Sequence, residues 1–178
     1  MSTLSTYTYP LVGKLAVRDI GQEHVLADLK GPRVIQAVHA QLKGEERYAH
    51  SKVLLTAFFD AEAQPCIWTP IVNFFGTGPE PYDYRSYPLG YKEGEGYCYF
   101  PMPFRQRGRL VVKNEGTRPA RLAYRVVHAP AAELPPNTML FHCKYRREEV
   151  CRTFDYPLLE ATGAGRFLGA ALLIDDAW

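Results

Sequence analysis

The sequence predicts an all-β fold, and three observations carry that prediction. Short runs alternate apolar and polar residues or are apolar throughout, clusters of glycine and proline separate them, and no long segment keeps a helical period. Composition agrees: 12 Tyr, 9 Phe and 2 Trp stand beside 14 Gly and 14 Pro. Aromatic and β-branched side chains suit a pleated, half-buried surface, while glycine and proline supply turns.

The predicted strands begin with Leu11 to Val17 and His24 to Leu29. From Arg33 to Leu42, Val34, Val38, Ala40 and Leu42 share one face, with Ile35, Ala37, His39 and Gln41 on the other. Val53 to Phe59 is apolar on both faces, as a central strand of a sandwich is. Cys66 to Ile71, Cys98 to Met102 and Arg109 to Lys113 follow, the last ended by the turn signal Asn114-Glu115-Gly116. Leu122, Tyr124, Val126 and His128 alternate with Ala123, Arg125 and Val127. Thr138 to Arg147, Tyr156 to Glu160 and Phe167 to Ile174 complete the set, the last again apolar on both faces. Such a series of short strands predicts a sandwich or barrel. Between Gly76 and Gly96 lies a long loop rich in Tyr, Pro and Gly, a length that in compact domains marks function or contact.

The 178 residues are read as one domain, 1–178, without repeat or linker. A net charge of +2, with no basic patch interleaved with aromatics, speaks against nucleic acid. No apolar run reaches transmembrane length, and the first residues lack signal-peptide character, so the expected location is cytoplasmic with no membrane partner. Cys66, Cys98, Cys143 and Cys151 form no Cys-x-x-Cys pair and are expected to be reduced thiols, mostly buried. Five scattered histidines give no metal-ligand spacing, and no cofactor motif occurs, so neither metal nor cofactor is expected. His39 and His128 are read as structural.

Six segments, in order, resemble glycoside hydrolase family 172, formerly domain of unknown function 2961. They are Leu26–Ile35, Asn73–Gly78, Tyr97–Arg105, Val112–Gly116, Phe141–Glu148 and Leu159–Arg166. The resemblance covers the N-terminal jelly-roll half of the family only. It implies a single jelly-roll sandwich of about eight to ten antiparallel strands. It also implies kinship with trimeric double jelly rolls that cleave α-linked fructofuranosides or D-arabinofuranosides, and likeness to double jelly-roll capsid proteins.

The departures from that family shape the functional expectation. Its catalytic carboxylates lie in Gly-Glu-Gly-Asp and Gly-Thr-Glu-Asp-Tyr motifs, neither of which occurs in these 178 residues. Gly94-Glu95-Gly96 is followed by Tyr97, and Asn73 stands where an aspartate is expected. Glycosidases generally need a pair of carboxyl groups, and among Glu80, Asp83, Glu93, Glu95, Glu148 and Glu160 no spacing selects one. No catalytic residue is therefore assigned.

Three places could contact a ligand or partner. They are Asn73, Phe74, Phe75, Gly76 and Gly78 at the mouth of the long loop; Met102, Phe104 and Arg105; and His142, Tyr145, Arg146 and Arg147. Each has a favoured structural reading as well: turn geometry, edge packing and a solvated charged strand respectively. The expected function is a furanosidase-related jelly-roll subunit or fragment, inactive alone. The alternative is a non-catalytic, self-assembling, capsid-like jelly roll. Expected partners are further copies of the chain, as a trimer or multiple, or a chain supplying a second jelly roll, with carbohydrate as the possible ligand.

Overall fold

Val38, Ala40 and Leu42 point from one strand into the interior, and Val53, Leu55, Ala57 and Phe59 meet them from another. Around these two rows a computed structural model describes residues 9–17, 21–46, 48–151 and 154–174. Among the described residues the strands are β1 (Tyr9–Val17), β2 (Glu23–Lys30), β3 (Arg33–Gly44), β4 (Val53–Phe59), β5 (Ile67–Pro70) and β6 (Tyr84–Arg85). They continue with β7 (Leu89–Lys92), β8 (Glu95–Cys98), β9 (Met102–Phe104), β10 (Arg107–Asn114), β11 (Ala120–Pro130) and β12 (Cys143–Lys144). Two single-turn helices, α1 (Ala49–Lys52) and α2 (Ile71–Phe74), flank β4 and β5.

The pairings are nested. β1 pairs antiparallel with β11, β2 with β10, β3 with β8 and β9, and β4 with β5. A long hairpin folded over on itself pairs first with last in this way, and its strands fall alternately into two sheets. One sheet runs β1-β11-β3-β8-β7-β6, with β9 also on β3; the other runs β12-β5-β4-β10-β2. That is the jelly-roll sandwich. The strands beyond its eight-strand plan are short: β6 and β7 at one rim, β12 at the other sheet's edge, with β8 and β9 sharing β3.

Packing follows the register. Val126 faces Val38 and Leu122 faces Leu42 in one sheet, while Ala57 faces Leu110 and Leu55 faces Val112 in the other. Phe59 and Phe104 stack between them, ring centroids 5.9 Å apart, both fully buried. Each such side chain contributes roughly 1.5–3 kcal/mol on burial.

The ends of the sandwich are tied by polar side chains. Asp60 accepts the backbone amides of Arg105, Gln106 and Arg107 at 2.6–3.3 Å. At the other end Asn114 is buried with its amide satisfied, donating to the carbonyls of Val17 and Arg118 and accepting from Gly116.

The long segment after α2 holds more order than its composition suggested. Residues 76–83 run without a strand, but β6, β7 and β8 then form a small meander. Its tight turn is Glu93-Gly94, both at positive φ (52° and 83°), as two-residue hairpins of matching twist demand.

The C-terminal expectation is corrected. Of Thr138 to Arg147 only Cys143–Lys144 forms a strand, and it pairs in parallel with β5. Tyr156 to Glu160 and Phe167 to Ile174 form none. Apolar composition favours a strand, but a strand exists only where a neighbour takes its backbone hydrogen bonds. No described strand pairs with either segment.

Candidate functional site

On β3 the residues facing away from the interior are Ala37, His39 and Gln41. His39 pairs across the sheet with Arg125 of β11 on one side and Tyr97 of β8 on the other. Three strands thus deliver three polar or aromatic side chains to one row of the outer face. Two positions along the chain, Tyr99 comes back to the same face, since side chains on an extended chain alternate.

The row is tightly engaged. His39 Nδ1 lies 3.2 Å from Glu95 Oε1. The Arg125 guanidinium sits 3.3 Å from Nδ1 and 3.2 Å from Nε2. Tyr99 meets the His39 ring edge-on at 5.6 Å, and Tyr97 lies 5.1 Å from Tyr99. The Tyr97 hydroxyl donates to the Ser86 carbonyl at 3.1 Å, and the ring passes over Gly90, where any Cβ would collide with it. His39 is 9% exposed, whereas Tyr99 is 48% exposed and Glu95 and Arg125 are also open to solvent. Burial first, then the Arg125 charge, holds the His39 imidazole below its ordinary pKa, while Glu95 pulls it upward.

This arrangement offers a carboxylate acceptor, a guanidinium donor and an aromatic face within one small area. Such a set fits a polyhydroxylated ring, whose hydroxyls need donors and acceptors and whose apolar face needs a flat surface. Among the described residues the cluster holds one carboxylate, Glu95, whereas two-carboxylate glycoside cleavage calls for a pair. No group of three or more His, Cys, Asp or Glu suited to a metal occurs among the described residues. Nor is any described helix long and apolar enough to cross a membrane.

The residues singled out from sequence lie elsewhere. Phe74, Phe75, Met102 and Phe104 are core side chains, each at most 4% exposed. Asn73 donates to the Thr77 carbonyl at 3.1 Å, closing the turn after α2. Gly76 has φ +75°, and its Cα faces the Tyr84 hydroxyl, which donates to the Phe75 carbonyl. Gly78 is buried. Arg105 donates to the carbonyls of Pro135 (2.6 Å) and Pro136 (3.1 Å). His142 is exposed, and Tyr145 donates its amide to Trp68. Arg146 pairs with Glu148 and lies over the Tyr156 ring at 5.3 Å; Arg147 reaches Glu149 at 3.9 Å. The structure brings Asn73–Gly78 together in one turn and leaves the other two groups apart from it.

A cavity under α1 and α2, lined by Leu42, His50, Val72, Phe75 and Tyr91, measures about 10 Å³, room for a single water. The outer-face cluster was missed in the sequence because its parts come from three strands. The one local signal was the Glu93-Gly94 turn, which sets the β7–β8 hairpin and with it the place of Glu95.

A family model described as GH172 domain-like matches residues 14–126. The match takes in β2 through β10 and every member of the outer-face cluster. No curated protein matches the chain. With well over half of its 178 residues matched, on a jelly-roll frame, the chain belongs to the GH172 domain-like family, which is related to glycoside hydrolases.

Proposed function

We propose that this jelly roll is a carbohydrate-contacting module of a furanosidase-type assembly, and that its outer-face cluster meets the sugar. The observation that supports this reading is the convergence of Glu95, Arg125 and Tyr99 around His39 on the open face of the β3 sheet. Glu95 accepts hydroxyl protons, Arg125 donates to ring or hydroxyl oxygens, and Tyr99 stacks on the sugar's apolar face. The cluster contributes one carboxylate where cleavage needs two, and we assign the second to a partner chain.

Titration of fructofuranosides and D-arabinofuranosides against the protein, followed by NMR, tests the reading. Shifts confined to His39, Glu95, Tyr97, Tyr99 and Arg125, and lost in Tyr99→Ala, are expected, with no hydrolysis by the chain alone. No perturbation of these residues by any furanoside would overturn the binding role. Hydrolysis by the purified chain would overturn the assignment of catalysis to outside groups.

A further inference from the structure

After β12 the chain runs through residues 145–151 and 154–174 with neither helix nor strand. This stretch carries apolar side chains in the open: Phe154 is 105% exposed and Ile174 80%, with Leu158, Leu159, Phe167, Leu168 and Leu172 each above half. Leu173 touches the rim, where a Cβ built on Gly78 would lie 3.4 Å from it. Monomeric proteins rarely leave so much apolar surface contiguous and wet. The eight residues Phe167–Ile174 are apolar on both faces and unpaired among the described residues, a strand by composition without a ladder.

The opposite edge of the sandwich has the complementary deficiency. β1 pairs with β11 along nine residues, and no described strand pairs with its other side. There Val12 is 71% exposed and Leu11 36%. Pro10 has no amide to donate, so the edge available to a full ladder is the part of β1 that follows it, Leu11–Val17. An open strand edge is a template for another extended chain.

We infer that Phe167–Ile174 adds as a strand to the β1 edge of a second copy of this chain. Three observations choose that occupant. Donor and acceptor lie on the same polypeptide, the eight-residue arm is long enough to cover Leu11–Val17, and Leu173 lies by Gly78, which precedes β6, at the edge of the sheet opposite β1. With Leu173 held at Gly78, a neighbour's β1 is the accessible one. Backbone ladder bonds supply affinity, as in other strand additions, and the exposed leucines, isoleucine and Val12 supply apolar contact. The open apolar side chains of the arm lie on its donor strand and on the stretch leading to it, so they can join the contact; a standard interface buries ~800 Å² per partner. The contact is head-to-tail, so it closes into a ring or continues along a line of copies.

Sedimentation velocity at micromolar concentration tests this with surface variants that leave the core intact. The unaltered chain is expected to associate. Leu172→Asp/Ile174→Asp, which loses the donor, and Val12→Asp, which loses the acceptor, are each expected to be monomeric. Mixed in equal amounts, the Val12→Asp chain donates its intact arm to the intact β1 of the other variant, giving a heterodimer that grows no further. A monomeric unaltered chain, a mixture that stays monomeric, or association unchanged in either variant would overturn the inference. Association blocked by Val25→Asp on β2 but not by Val12→Asp would overturn the choice of edge.

Discussion

The Arg125 guanidinium lies over the His39 ring and is nearly equidistant from its two nitrogens, 3.3 Å from Nδ1 and 3.2 Å from Nε2. A donor aimed at one lone pair would be close to one nitrogen only, so this is contact with the ring face. That contact suits a neutral imidazole, because a protonated ring would meet the guanidinium as a like charge.

The consequence is a pH dependence with a definite sign. Burial and Arg125 depress the His39 pKa, and burial and Arg33 depress that of His128. In the unfolded chain both return to about 6.5. The unfolded state then binds more protons, so this stability is fully present above about pH 6.5 and is lost as pH falls through the folded values. Urea unfolding between about pH 7 and pH 5, above the carboxylate range, should show a decline. The double variant His39→Gln/His128→Gln should flatten it. A double variant with the full original slope would remove the two histidines from the explanation.

How much of this was legible in sequence depended on how locally each feature is encoded. Leu122 to His128 showed its face by alternation, and Asn114-Glu115-Gly116 announced its turn. β7 and β8 were hidden because each has four residues and a glycine at the position that should show the pattern. Those glycines answer distant demands: Gly90 makes room for Tyr97, and Gly96 makes room for Phe75. Phe167–Ile174 failed for the opposite reason, since local propensity was strong and no strand among the described residues pairs with it. His39 and Glu95 are far apart in sequence, and only the β3–β8 register joins them. The six resemblance segments mark the frame; Asn114 and the Phe74–Phe75 pair within them are occupied in holding it.

Gly96 makes the point about distant demands measurable. A Cβ there would fall 2.7 Å from Phe75 Cε2 and nearer still to two other ring atoms, and Phe75 is a core side chain, 1% exposed, beside a cavity with room for only one water. Gly96→Ala should therefore cost about 1–3 kcal/mol, the usual penalty of overpacking. Gly165, with nothing within 4 Å of its would-be Cβ, is the control. Gly165→Ala should stay within about 0.5 kcal/mol of the original chain. Equal urea midpoints for the two variants would mean that the ring does not constrain this site.

The cysteines report on whether the two sheets stay closed at the rim beside the candidate site. Cys98 is in β8 and Cys143 in β12, one in each sheet, and burial pushes their thiols up to about 12 and about 11. Burial raises the Cys66 thiol as well, whereas Cys151 is exposed. Alkylation requires thiolate, and at pH 8 a thiol with a pKa near 12 is thiolate only about one part in ten thousand. A pulse of iodoacetamide read by mass spectrometry should label Cys151 first and the other three only after urea is added. Labelling of Cys98 and Cys143 together, at the rate of Cys151, would show the sheets parting at this edge in the native protein. The outer-face cluster would then rest on a moving strand, because Glu95 and Tyr97 share β8 with Cys98.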